Sequence, residues 1–430
     1  MKKEKNKKYE GGITLVALVV TIVILLILAG VSLNLVIGNE GILKRSKEAA
    51  DKYGKQAENE QQVLNNVENW MDEQFGGMQK VAVNTKATKN GTINGQEPNI
   101  NNPIIPKGYT PINAGSATWG DGNSSPAQSS IDNGLVIKDD NNNEWVWIPV
   151  EESVLSGMYE TSNEGIALSG DVGVTTKMYT KTTTIGRTGD TVTLPRSTPN
   201  TTGWREPDLV TNDDKDEAYY KTILGFDTPK AMAEAFTADY ANMISSIKKY
   251  GGFYIGRYEL SNEGVQKGKA TLTNKNWYEL YKKCITLNAS DKVESKMIWG
   301  IQWDLACDFI SKKGERKSIT NSNTWGNHAD STGNAAVMDG GTQKYGRNQV
   351  TGYSEYWKAN NIYDLAGNCW EWTQEANNTN YRAGRGGSLG SVGSGGPASY
   401  RNDVGADNSN ISDVRFSSHF NNKVALDPVS

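Results

Sequence analysis

Ile362-Tyr363-Asp364-Leu365-Ala366-Gly367-Asn368-Cys369-Trp370-Glu371-Trp372-Thr373 is the stretch on which the fold of this 430-residue chain turns. Arg385-Gly386-Gly387-Ser388 follows at short range, and Arg401 and Arg415 come after it. Trp370 and Trp372 stand two apart, and so do Trp145 and Trp147 in Glu144-Trp145-Val146-Trp147-Ile148-Pro149-Val150. That is strand spacing, and it predicts packing rather than a ligand cage. A buried aromatic removes on the order of 150–250 Å² from water, so the twelve tryptophans of the chain can support a substantial core.

Working outward, Gly134-Leu135-Val136-Ile137-Lys138 and Glu144 to Val150 flank Asp139-Asp140-Asn141-Asn142-Asn143, which predicts a hairpin around an Asp/Asn turn. Gly251 to Glu259 reads as a further strand. Trp277 to Cys284 and Ile298 to Ile310 carry helical spacing. A net charge of −4 offers no argument for a nucleic-acid partner. Cys284, Cys307 and Cys369 are too few for a disulfide framework, although one pair has room to form in an oxidising compartment. His328 and His419 read as surface residues, which leaves a His-rich metal site or Ser-His-Asp chemistry without support.

The block from Ile362 to Ser388 resembles the signature of the formylglycine-generating-enzyme (sulfatase-modifying factor) family, whose fold is C-type-lectin-like. The hairpin at Asp139–Asn143, the strand at Gly251–Glu259 and the helix carrying Trp303 resemble its other elements. The resemblance implies an α+β, C-type-lectin-like domain with irregular loops over residues 109–422, with 151–230 as an insertion and 423–430 as a tail. The family oxidase holds copper on two cysteines, three and eight residues before an arginine matched here by Arg401. A thiolate pair suits Cu(I). Ala398 and Gly393 occupy those positions in this chain. The resemblance therefore implies a non-catalytic member with no copper. It also implies a Ca²⁺ site from the Asp364 and Glu371 side chains and the Gly367 and Cys369 carbonyls, an oxygen set that suits this ion.

Ile13 to Ile37 is a nearly unbroken apolar run that would span roughly 37 Å as a helix, enough for a bilayer core of about 30 Å. Lys2, Lys3, Lys5, Lys7 and Lys8 precede it and predict a single-pass anchor with everything downstream outside the cell. Gly11-Gly12-Ile13-Thr14-Leu15, with Ile27 to Ser32 and Gly38 to Ile42, resembles a type IV prepilin of the Firmicutes form. The resemblance implies a leader at 1–12, cleavage by prepilin peptidase between Gly12 and Ile13, a retained helix at 13–37, and other pilins as partners. Ala17 stands where most major pilins carry glutamate, which favours a minor or tip subunit or a pseudopilin. Val63, Leu64, Val67, Trp70 and Met71 form one apolar stripe and predict a helical stalk over 38–75. Residues 76–108, rich in Asn, Thr, Lys and Pro, read as a flexible linker.

Ser388 to Asn422 holds no Lys, Glu, Gln, Met or Trp, where roughly seven would be expected from their share of the chain. Randomising the adenines of Asn codons cannot produce those five types. The segment thus resembles the variable region of diversity-generating retroelement target proteins, which use the same scaffold. Its candidate ligand-binding residues are Leu389, Gly390, Ser391, Val392, Ser394, Tyr400, Asn402, Asp403, Val404, Ala406, Asn408, Ser409, Asn410 and Ile411. Arg385 to Ser388, Pro397 to Arg401 and Arg415 would be scaffold between them. The expected function is a surface-displayed adhesin or receptor for an extracellular protein or glycan. A structural minor pilin is the alternative, and an active oxidase a second alternative that the missing cysteine pair disfavours.

Overall fold

The computed structural model describes residues 19–24, 78–120, 128–159, 179–184, 191–196, 219–288, 293–336, 338–339, 342–343, 348–376, 381–406, 420–421 and 424–428. The chain divides into two units, Met1–Glu68 and Asn69–Ser430. In the first, residues 19–24 are helical. Among the described residues no helix is long and apolar enough to cross a membrane. The leader, the rest of the 13–37 run and the stalk lie outside the described residues.

The second unit is α+β. Its larger sheet contains β1 (Thr110–Ile112), β2 (Val136–Lys138), β3 (Glu144–Pro149), β4 (Gly252–Gly256) and β5 (Val293–Met297). Its smaller sheet contains β6 (Trp370–Ala376), β7 (Tyr381–Arg385), β8 (Arg401–Gly405) and β9 (Phe420–Asn421), and the final strand β10 (Val424–Pro428) returns to the larger one. The six-stranded order is β1-β2-β3-β4-β10-β5, antiparallel throughout; the four-stranded order is β8-β7-β6-β9, with only β6–β9 parallel. The β2–β3 hairpin turns where the Asp/Asn run predicts. Asp139 Oδ1 accepts from the Asn141 and Asn143 amides, each at 2.9 Å, and so fixes the turn.

Three helices matter for the site: α1 (Pro229–Tyr250), α2 (Trp277–Ile285) and α3 (Gly300–Lys312). Thr228 caps α1 by accepting from Ala231 N, and Gly251 ends it in the left-handed region at φ 77°. Met232, Phe236, Tyr240, Met243, Ile244 and Ile247 recur at helical spacing and are buried against the core. Phe236 lies between α2 and the start of α3, with ring centroids 4.8 Å from Tyr281 and 6.3 Å from Trp299. All four strand tryptophans, Trp145, Trp147, Trp370 and Trp372, are buried. The interior of β3 is buried on both faces, so its tryptophan pair marks a covered strand rather than a one-sided one.

Two boundary readings are corrected. Residues 78–108 are not a free linker. Val81, Ile93, Ile104 and Ile105 are fully buried, and the Tyr254 hydroxyl donates to the Ile104 carbonyl at 2.7 Å. The segment presses against the end of α1, where a Cβ on Gly251 would stand 2.4 Å from Ile100 N. Its polar composition hid a few apolar anchors, and those were enough to bind it down. Nor are residues 423–430 a tail. β10 lies inside the larger sheet, pairing Leu426 with Tyr254 on one side and with Ser295 on the other. Buried Lys296 pairs with Asp239 of α1 and reaches Asp427 of β10 at 3.8 Å, tying helix and strand together. Within 151–230, the described pieces are a helix at Glu152–Tyr159, a hairpin of Tyr179–Thr184 with Thr191–Arg196, and a π-helical turn at Tyr219–Leu224; the hairpin joins neither main sheet.

Leu426→Ala is predicted to cost about 2–5 kcal/mol, the range for truncating a fully buried leucine, in chemical denaturation. A change within about 0.5 kcal/mol, as expected of an exposed tail, would contradict the central placement of β10.

Candidate functional site

Beneath the carboxyl-terminal loops lie four fully or nearly buried charges. Arg385 of β7 donates to Asp304 of α3 at 2.5 Å and to Glu375 of β6 at 3.1 Å. Arg401 of β8 donates through Nε to Glu375 at 2.9 Å and through Nη2 to Asp304. The side chains are between 0 and 8% exposed, and two cations face two anions, so the group is neutral as a whole. Register explains the meeting. Arg385 and Arg401 are direct cross-strand partners, and β6 lies on the other side of β7. Arg385 also stacks over Trp303, whose indole N–H donates to the Ala398 carbonyl at 2.8 Å. Arg382 lies over Trp277 at 5.1 Å in the same sheet.

The 388–396 loop rests on a platform formed by residues 318–332. The Ser322 amide donates to the Gly393 carbonyl at 3.0 Å, and the Ala329 amide to the Ser391 carbonyl at 2.9 Å. Asp330 Oδ1 accepts from Gly393 N at 2.6 Å, and the Ser399 hydroxyl donates to the Ile319 carbonyl at 2.8 Å. From the other side, the Leu389 amide donates to the Asn368 carbonyl. A Cβ on Gly393 would stand 2.3 Å from the backbone nitrogen of Asn323, so this position is closed to any side chain. Ala398 is fully buried, with Cys307 Sγ 3.8 Å from its carbonyl.

His328 is corrected from a surface residue to a buried one, 2% exposed. Its Nε2 hydrogen-bonds Ser322 Oγ at 2.8 Å, and the Ser388 backbone faces the ring. Burial pushes its pKa down to about 4 against the opposing pull of Asp330, so the ring is neutral at pH 7. A histidine with a serine and a glycine-rich loop closed over it has nowhere to meet water. His419 lies outside the described residues.

The expected binding residues separate into three groups. Gly390, Val392, Ser394 and Tyr400 are exposed, with Val392 at 48% and Tyr400 at 42%; Ser391 and Asn402 are partly exposed. Leu389, Val404 and Ala406 are buried and belong to the core, which corrects their assignment to a binding face. Val404 and Ala406 stand two apart and face inward together, a parity that the composition of this segment does not reveal. Asp403 lies on β8 opposite Ala383; Asn408, Ser409, Asn410 and Ile411 lie outside the described residues. Tyr400 packs against Trp370 with ring centroids 5.8 Å apart. Tyr381, 42% exposed at the far end of β7, joins the exposed aromatics of this sheet and lay outside the compositional window that drew attention to the rest.

The candidate calcium residues gather around one thiol. Cys369 is fully buried, and its pKa is driven well up, first by burial and then by the carboxylates of Glu259, Glu371 and Asp364. That thiol is protonated at neutral pH, a poor form for a soft-metal ligand. Asp364 Oδ2 accepts from Gly352 N at 2.8 Å, while Glu259 accepts from Asn368 Nδ2 at 2.6 Å and Cys369 N at 3.2 Å. Gly367 pairs with Asn327 in an isolated parallel bridge. Among the described residues no three His, Cys, Asp or Glu side chains are grouped to hold a metal ion. A cation here would depend on carbonyls as well as on Asp364 and Glu371, and that all-oxygen set fits Ca²⁺ in chemistry. Cys284, Cys307 and Cys369 are all buried, and none is in a disulfide.

No protein-family model matches the chain, and no curated protein sequence matches it either. Sequence reasoning named Arg385 and Arg401 as scaffold but missed Asp304, Glu375, Ser322, His328 and Asp330. Glu375 stands four residues after Glu371 on β6, but the pairing of β6 with β7 shifts register between Trp372 and Ala376, so spacing alone does not give its face.

Arg385→Met is predicted to cost about 3–5 kcal/mol in urea denaturation, because it leaves Asp304 and Glu375 buried with one counter-charge between them. A loss below about 1 kcal/mol would show that the cluster is solvated and plays no such part.

Proposed function

We propose that this chain is a non-catalytic, surface-displayed binding protein whose C-type-lectin-like domain, related to formylglycine-generating enzymes, is carried outward on a pilin-like anchor. The observation that carries the reading is the division of residues 385–402 into a fixed inner set and an outward-facing set. Arg385, Gly393, Ala398 and Arg401 are held by the ionic cluster, the platform and Trp303. Gly390, Val392, Ser394 and Tyr400 point to solvent. Loop side chains on a rigid base can change without disturbing the core, which is what a diversified binding face requires. The adenine-accessible composition of 388–422 supports the same reading. Small polar side chains would tune hydrogen bonds, with Val392 and Tyr400 supplying contact area. The closed backbone at Gly393 and the Trp303 cap over Ala398 argue against copper-thiolate chemistry at these positions.

Sequencing the DNA that flanks the gene tests the diversification directly. A nearby near-copy of the 388–422 coding segment, differing at adenines and lying beside a reverse-transcriptase frame, is expected. The differences should fall on the codons of Gly390, Ser391, Val392, Ser394, Tyr400 and Asn402 and spare those of Arg385, Gly393 and Arg401. Absence of any copy would leave a fixed minor pilin as the better account, a reading favoured by Ala17.

Two biochemical outcomes are predicted. Val392→Ala and Ser394→Asn should each change unfolding stability by no more than about 0.5 kcal/mol, whereas Gly393→Ala should lose about 1–3 kcal/mol by overpacking against Asn323. Calcium bound by Asp364, Glu371 and the Gly367 and Cys369 carbonyls should raise stability by about 2.7 kcal/mol at a free concentration one hundred times its Kd. An identical melting temperature in calcium and in chelator would remove calcium from the proposal.

A further inference from the structure

The platform under the 388–396 loop contains a buried base that neither the ionic cluster nor the proposed binding face requires. We infer that residues 322–332 form an acid-sensitive latch, in which protonation of the His328 imidazole releases the 388–396 loop and the outward side chains it carries. Only the consequence for a ligand rests on the proposed function; the opening of the loop does not.

The latch is a small set of bonds around one ring. His328 Nε2 bonds Ser322 Oγ, and the Ser322 amide donates to Gly393 O at 3.0 Å. Ala329 N donates to Ser391 O at 2.9 Å, and Asp330 takes the Gly393 amide. The Ser388 backbone faces the imidazole from the loop itself. Nε2 and the Ser322 hydroxyl share one hydrogen bond, and the Ser388 backbone lies beside the ring.

Protonation puts a cation there with almost no water. The loop residues 386–396 contribute no charged side chain, nor do Ala366, Gly367 and Asn368, which the platform backbone touches. The facing charge is Asp330, and its Oδ1 is already committed to Gly393 N. The ring gains a proton more easily in water than under the loop, so acid favours the open form.

The direction and size follow from linkage. The ring takes its proton near pH 6.5 when exposed and near 4 when enclosed, a depressed value for a base. The closed loop therefore has its full advantage above about pH 6.5 and loses it as pH falls toward 4. Between pH 8 and pH 5 the opening equilibrium should rise about 30-fold, with a limit of about 300-fold at lower pH. The loop is small and rich in glycine, so its release need not unfold the sheets beneath it.

Hydrogen exchange on the full-length, detergent-solubilised chain reads the opening without any ligand. After correction for intrinsic rates, amides of 388–396 should lose about 30-fold protection from pH 8 to pH 5, while those of β4 keep theirs. His328→Gln, which stays neutral, should remove the pH response, and Asp330→Asn should retain it. If the wild-type loop shows no pH dependence, if the response survives in His328→Gln, or if it vanishes in Asp330→Asn, the latch is overturned. Should His328→Gln fail to fold, imidazole NMR of the wild type decides, because the chain has only two histidines. One ring resonance must then titrate together with the loop amides; separate titration overturns the proposal. A ligand-binding assay that stays flat with pH while the loop opens would instead count against the binding face and leave the latch intact.

Discussion

Two arginines and two carboxylates, closed off from water, are the constraint around which the carboxyl-terminal half is arranged. A buried charge is tolerated only with a partner in good geometry, and here each ion has two. The condition can be met only if α3, β6, β7 and β8 reach their places together. Asp304 must face the sheet, Glu375 must lie on the same side of β6 as Arg385 does of β7, and β8 must pair in the register that sets Arg401 beside Arg385. A slip of one residue in β8 would turn Arg401 to the opposite face. The cluster need not add net stability over an apolar core; its effect is to penalise every other register.

That rigid base makes an irregular surface affordable. Between β7 and β8 the chain leaves the sheet, rests on residues 318–332 and returns through Pro397 and Ala398. Its backbone is held by hydrogen bonds with Ser322, Ala329, Asp330 and Asn368, and the side chains of Ser388, Ser391 and Ser399 add bonds of their own. The outward positions carry little of that load, although Tyr400 still packs on Trp370. An exposed surface and a core element share one short stretch of chain, separated only by which way each residue points.

Much of the scaffold was legible in advance. The Asp/Asn run between two apolar segments marks the β2–β3 hairpin, and the Trp-Glu-Trp strand marks β6. The two helical patterns beginning at Trp277 and Ile298 become α2 and α3, because local periodicity and turn chemistry act over a few residues. Less legible were segments whose burial depends on distant partners. Residues 78–108 look like solvent-loving linker until Ile104 meets Tyr254, a contact 150 positions away. Val424 to Pro428 carry too short a pattern to announce a central strand. His328 has no local feature that distinguishes a buried ring from an exposed one.

By itself, the sequence determined the apolar run near the amino terminus, the α+β character of the rest, the strand and helix identities around the tryptophans, and the restricted alphabet of residues 388–422. All of these are properties of neighbours along the chain, where spacing and composition carry the physics. Tertiary structure alone decided that Asp304 and Glu375 would receive the two arginines, that β10 would enter the middle of the larger sheet, and that Leu389, Val404 and Ala406 would face inward while Val392 and Tyr400 face out. Those outcomes depend on which surfaces exclude water once the elements meet. A side chain's desolvation is set by what packs against it, and its own position in the chain does not record that.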